Sequence, residues 1–406
     1  MPIVQGRHLP LYSALFAVFV LFGASLTLVG AILPRIFDEF RWSYFMAGLV
    51  LASGSVGTIA GAFVGGRLLH HRGVRLTALL GLGLNAAGLL LFARGPSVPL
   101  NMLLYFGIGL GQGFLEISVN WSVVRMSGPG DGRAMNLIHG AFSIGAVLGP
   151  LVLGALLAAD LSWSLPFRAV ALIYLALFLA AFGLPFGMLG RDEVAAKGAK
   201  RLRRGPAYTL GFLTLFFYVG AEVGISNWCA EFFVRTFGTS AATGALVVSL
   251  FWAGLLAGRL GFPLLLPRVR PERLIVVLAT AFALSTGLVL ASGFAGTPAL
   301  LLGFAAVAAA GLGASCVYPS TITLVGDAFP SDQGRAVGFA ATGGALGAFV
   351  FPFAMSGIAG RAGLVAGFTS YAGVAVLAAA LAMALASAAR AAGGGSAKAG
   401  GTESPS

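Results

Sequence analysis

Acids, amides and aromatic hydroxyls recur at helical spacing inside stretches that are otherwise apolar. Gln112, Glu116 and Asn120 stand at i, i+4 and i+8; Tyr218, Glu222 and Ser226 do the same, followed directly by Asn227 and Trp228. A spacing of four places each trio on one stripe of a helix. Asn136, His139 and Ser143 also recur at helical spacing, and Trp252 and Tyr318 (the latter just before Pro319) lie in two further apolar runs. Amides donate and accept, carboxylates accept, and aromatic rings offer a flat face, a combination that suits a small polyhydroxylated ligand. A carboxyl can also load and release a proton in step with ligand binding. The expected binding set is therefore Gln112, Glu116, Asn120, Tyr218, Glu222, Asn227, Trp228, Trp252 and Tyr318, with Glu116 and Glu222 as proton-exchanging acids. Asn136, His139 and Ser143 are expected in a gating or secondary role. Helix packing is the competing reading. His139 can be a satisfied packing histidine, Asn85 an interhelical hydrogen-bonder, and Trp228 and Trp252 interfacial belt residues.

The elements that must carry these groups follow from composition. Of 406 residues, 58% are hydrophobic and only 9% are charged, against about 25% charged in soluble domains. That excludes a soluble enzyme, and the excess of apolar surface excludes disorder. A bilayer core needs roughly 20 apolar residues per helix. Twelve segments qualify: near 12–33, 45–65, 76–94, 100–124, 135–158 and 166–189, then 207–229, 241–262, 273–294, 298–325, 335–359 and 363–389. The first is longer than a signal peptide's apolar core and is expected to be retained. Alternating segments of about 10 residues, the mark of a membrane β-barrel, are not seen. Within these spans Glu116 and Glu222 are the deep acids, and an acid at mid-bilayer costs about 2.5–3.5 kcal/mol on insertion scales. Such residues face an interior more often than lipid.

The formal charge of +12 is spread over the breaks between apolar runs, not gathered on one basic face, so nucleic acid is not an expected partner. With the N-terminus inside, only Arg35, Arg41, Arg94, Arg168, Arg235 and Arg361 of the 25 Lys and Arg fall outside. The bias predicts both termini in the cytoplasm. Cys229 and Cys316 lie in apolar context, so neither a disulfide framework nor a metal cluster is indicated. The chain carries no G-x-x-x-x-G-K-[ST], H-E-x-x-H or G-x-S-x-G. GLGLNAAG at Gly81 follows no strand, so no nucleotide cofactor is expected.

One offset relates the two halves. Gly109 pairs with Gly311, Gly132-Arg133 with Gly334-Arg335, Gly145 with Gly347 and Pro150 with Pro352, each 202 positions on. Six helices return the chain to the same side, so the repeats are parallel and related by an axis along the membrane normal. The expected fold is an all-α membrane protein of 12 transmembrane helices in two parallel-related six-helix bundles. Residues 1–189 form the first bundle, 190–206 a cytoplasmic linker, 207–389 the second bundle and 390–406 a disordered tail.

GGRLLHHRGVR from Gly65 resembles the signature loop of the major facilitator superfamily at Gly66, Leu68, Gly73 and Arg75, with His70 where that family has Asp. LGQGFLEISVNWSVV, MNLIHGAFSIGAVLGPL and YVGAEVGISNW resemble helices four, five and seven of the fucose–proton symporter subfamily and its glucose-transporting relatives. The resemblance implies proton-coupled alternating access for a sugar or sugar-like solute, by a monomer in the bacterial cytoplasmic membrane surrounded by lipid. Glu116 would serve substrate binding and proton coupling, with Asn120 one turn on and Arg75 in the gating loop. Two positions depart from the subfamily. LTLVGAILP has Gly30 and no acid where fucose symporters carry an Asp, and Phe142 stands where they have an Asn. The alternative is a proton-antiporting exporter of amphipathic drugs or lipids.

Overall fold

The computed structural model describes residues 4, 6–127, 133–189, 205–265, 269–330 and 332–399, with the main chain alone at 263 and 392–399. It is helical throughout, with no strand among the described residues. In chain order the helices are α1 Leu9–Phe40, α2 Tyr44–Arg72, α3 Val74–Leu91, α4 Val98–Met126, α5 Arg133–Ala158 and α6 Ser164–Ala181. Then follow α7 Pro206–Phe237, α8 Ala241–Leu265, α9 Pro271–Ala295, α10 Leu300–Ala314, α11 Val317–Ala328, α12 Gln333–Ala362 and α13 Leu364–Ala399. α10 and α11 belong to one span interrupted at Ser315–Cys316, so among the described residues 12 stretches are long and apolar enough to cross a bilayer. Side chains such as Leu301, Phe294 and Leu284 stand exposed on their helices. In water such a surface would drive association; against acyl chains it is the expected outer coat.

Lipid gives no hydrophobic drive between helices, so close packing must supply it, and small residues permit that. α1 lies on α5 where an added Cβ at Gly145 would stand 1.8 Å from Val20 O, and one at Gly23 1.9 Å from Phe142 O. α2 lies on α4 in the same way: a Cβ at Gly109 would be 2.0 Å from Gly54 O. In the second half the glycines 202 positions on make backbone contacts of the same kind. A Cβ at Gly347 of α12 would meet Phe216 O of α7 at 1.9 Å, and one at Gly311 of α10 would meet Phe251 O of α8 at 1.8 Å. The repeat read from the sequence is thus a repeat of helix–helix seams.

Short turns join the helices. Ser43 caps α2 by accepting from Met46 N at 3.2 Å. Asn101 fastens the α3–α4 loop, accepting from Ala93 N at 2.8 Å and donating to Gly95 O and Ser97 O at 2.9 and 2.8 Å. Gly73, between α2 and α3, has φ of +89°, a conformation that suits glycine.

Several boundaries differ from expectation: α1 and α2 run on to Phe40 and Arg72, past their expected ends near 33 and 65, and α6 stops at Ala181 instead of near 189. α7 runs on to Phe237 instead of stopping near 229, because the apolar run continues and Glu231 and Arg235 pair at i, i+4. The tenth span is broken. The last helix continues to Ala399, so 390–399 of the expected tail are helical, while 400–406 and residues 190–204 of the linker lie outside the described residues. Packing divides the chain into two compact units, Met1–Lys197 with Ser226–Ser249, and Gly198–Ile225 with Leu250–Ser406. The division therefore passes through α7 and α8 as well as the linker region.

Candidate functional site

In the first unit α4 is one continuous helix, and its stripe is built as its spacing requires. Gln112 is buried and donates through Nε2 to Ser25 Oγ of α1 at 3.3 Å. One turn on, Glu116 is half-buried. Another turn on Asn120 is half-buried, with its Oδ1 shut away from solvent and without a partner among the described residues. An unpaired buried acceptor is uncommon, because it forfeits its hydrogen bonds to water. Asn85 of α3 donates to Gly81 O of its own helix at 2.9 Å and packs against Gly111 of α4, so it fills a seam instead of bonding across it.

The two departures from the fucose pattern have physical causes. A Cβ at Gly30 would stand 2.7 Å from Asn227 Cα and 2.8 Å from Ser226 O, so α7 backbone occupies the space an acid would need. Phe142 instead sits edge-on to Phe22 with ring centres 5.4 Å apart, as part of the α1–α5 seam. On α5, Ser143 is buried and donates to His139 O at 3.3 Å. His139 is exposed with its ring edge-on to Phe19 at 5.7 Å, and Asn136 is exposed. Arg75 donates to Phe182 O, just past the end of α6, which ties it to its own bundle.

The second unit centres on the interruption of the tenth span. Pro319 has no N–H, so the carbonyl four residues back, Ser315 O, loses its helical donor. Arg259 of α8 supplies one instead, with Nε 3.3 Å away. The neighbouring Ala314 O accepts from the Tyr218 hydroxyl at 2.7 Å. Non-helical backbone at membrane depth is tolerated where protein side chains satisfy it in this manner. Glu222, buried one turn from Tyr218, lies against that hydroxyl and within the field of Arg259. Tyr218 and Glu222 are thus brought together, near Arg259 of α8, a residue outside the expected set. Trp252 is buried edge-on to Phe251 at 5.9 Å, and Tyr318 is half-buried with its ring beside Gly344 of α12.

The remaining expected residues, Asn227 and Trp228, fall in the first unit. Asn227 is half-buried with its backbone against Gly30. Trp228 is fully buried, stacked on Phe37 at 6.2 Å and edge-on to Tyr44 at 5.9 Å, so its faces are filled by protein. Beside it is a cluster outside the expected set. Arg235 donates through Nε to Glu231 Oε1 at 2.8 Å and through a terminal nitrogen to Asp38 of α1 at 2.7 Å. Tyr44 of α2 donates to the same Glu231 oxygen at 3.3 Å. Glu231 is 0% exposed, and its Oε2 has no partner among the described residues. Its place in the sequence, four residues before an arginine at the end of an apolar run, is the signal that would have found it.

Comparison with known proteins agrees with this architecture. The family profile described as Major Facilitator Superfamily matches residues 15–310. A protein TsgA homolog of Erwinia tasmaniensis is 22% identical over 334 residues, covering 82% of this chain and 83% of that one. Among solved structures, a mutant form of the nucleoside transporter NupG superposes with a TM-score of 0.77 at 16% identity, covering 94% of this chain and all of that one. A D-xylose-proton symporter gives 0.74 at 15% identity, covering 93% and 95%. The Major Facilitator Superfamily transporter FucP, in an outward conformation, gives 0.63 at 20% identity, covering 94% and 99%. Twelve apolar spans among the described residues, two halves with repeated glycine seams and a profile matched across most of its length identify the chain as an integral membrane transporter, not an enzyme, that belongs to the Major Facilitator Superfamily.

Proposed function

We propose that the chain is a secondary active transporter that moves a small polyhydroxylated solute, a sugar or sugar-like molecule, by proton-coupled alternating access. It does so as a monomer in a bacterial cytoplasmic membrane, with both termini inside. The observation that carries this reading is the α4 stripe, where Asn120 keeps a buried acceptor with no donor among the described residues, one turn from the half-buried Glu116. A ligand hydroxyl supplies the missing donor and can accept from an amide at the same time. Glu116 is the group assigned to proton exchange on this half, and Glu222, held beside Tyr218 and Arg259, is its counterpart on the other. Two of the similar structures are described as a D-xylose-proton symporter and a nucleoside transporter; xylose is a sugar, and every nucleoside contains one.

Counterflow in proteoliposomes, with a panel of labelled sugars and nucleosides, tests the reading. At least one of them exchanges in wild-type vesicles, and a pH gradient drives its accumulation. Glu116→Gln loses the gradient-driven accumulation by at least about tenfold, the scale expected when an interaction of about 1.4 kcal/mol or more is removed. Competition by no sugar and no nucleoside overturns the proposal in favour of an amphipathic exporter. Full pH-driven accumulation in both Glu116→Gln and Glu222→Gln overturns the coupling.

A further inference from the structure

The cluster at the far end of α7 holds an acid whose surroundings do not match its charge. Glu231 is wholly buried, yet one of its carboxyl oxygens has no partner among the described residues. The ionisable groups facing it are Asp38 from α1, Tyr44 from α2 and Arg235 on its own helix. The α8 stretch packed alongside, residues 241–249, carries no titratable side chain. Two carboxyls therefore share one guanidinium, and the excess negative charge lies on the buried partner, since the Asp38 side chain is 55% exposed and that of Glu231 0%. Burying a charge with an unsatisfied oxygen is costly, and the usual escape is neutralisation.

We propose that Glu231 is a proton-binding site of the transport cycle, charged and hydrated when this end of α7 is open to water and protonated when α7 seats against α1 and α2. A proton from water on the α1–α2-turn side adds to Oε2 and forms an O–H bond. Oε1 continues to accept from Arg235 and Tyr44, and Arg235 keeps its ion pair with Asp38. The cluster becomes neutral as it is buried. Closure of this end thereby takes up one proton from the side that the arginine bias assigns to the outside. This rests on the alternating-access reading and adds a third acid to it, one in neither expected stripe. Linkage sets the sign: because the buried state binds the proton more tightly, acidic solution populates it and alkaline solution depletes it.

The test needs no solute, so it can fail while counterflow succeeds, and the reverse. The full chain in lipid nanodiscs is followed by amide hydrogen exchange across pH, corrected for intrinsic chemistry, over the peptides that cover residues 226–249. Wild-type protein gains protection in this segment several-fold on acidification. A protonated-carboxyl infrared band rises with the same midpoint. Glu231→Gln is protected and flat across pH and lacks this component of the band, whereas Asp38→Asn, which leaves Arg235 to Glu231 alone, keeps the response with its midpoint at lower pH. A wild-type segment that ignores pH, or a Glu231→Gln protein that keeps the wild-type response, overturns the proposal. Should Glu231→Gln fail to assemble, Arg235→Gln decides: loss of the neighbouring base moves the midpoint to higher pH, and an unmoved midpoint overturns the assignment.

Discussion

Single residues in this chain are explained by what stands opposite them. Gly30 is the clearest case, because it occupies the place where the fucose-symporter pattern has an acid. With Asn227 Cα 2.7 Å from its would-be Cβ, Gly30→Asp is expected to destabilise the protein and not to add a coupling group. Overpacking of this kind costs about 1–3 kcal/mol, which thermal unfolding in detergent measures as a fall in Tm. Glu116 and Glu222 could be picked out from the sequence because an acid in the middle of an apolar run has no ordinary reason to be there. Glu231 and Arg259 escaped for the opposite reason. Hydropathy alone put helix ends near both, and a charge near a helix end looks hydrated. What moved them inside was tertiary context: Tyr44 and Asp38 around the first, an unpaired carbonyl in front of the second.

At the level of helices, the seams and the interruption do different work. The seams at Gly145 and Gly347 are backbone against backbone, with no flexible side chain to give way. Gly145→Ala and Gly347→Ala are each expected to lower thermal stability by about 1–3 kcal/mol. Gly140→Ala, on the same helix as Gly145 but with no described atom within 4 Å, is expected to leave stability unchanged or to raise it by about 0.5–1 kcal/mol through helix propensity. The positions of the helices were readable because apolar runs and basic breaks punctuate them. The interruption at Ser315–Cys316 was not, since Tyr318-Pro319 was read as a polar contact and not as a missing hydrogen-bond donor. Pro319→Ala restores an N–H that competes with Arg259 for Ser315 O. Slower amide exchange over residues 315–320 should accompany a several-fold fall in counterflow, at unchanged or higher Tm; faster exchange there would refute the account of the break.

Across the molecule, the offset of 202 was the most informative feature of the sequence, because it joined distant segments without any knowledge of their contacts. It predicted two parallel-related halves, and the structure adds that Gly109 and Gly311, and Gly145 and Gly347, each lie in a helix–helix seam. It could not predict where the halves diverge: α4 stays continuous and presents a polar stripe, while its counterpart is split into α10 and α11. The split span also bears on how the protein is made. Its two loose carbonyls are claimed by Tyr218 and Arg259, which lie 96 and 56 positions earlier in the chain. A ribosome delivers α7 and α8 to the membrane before the split span emerges, so both donors are already waiting when it enters. Had the gene placed this span first, its bare backbone would have met hydrocarbon with nothing to bind. Here the order of synthesis is itself part of what makes a fractured helix tolerable.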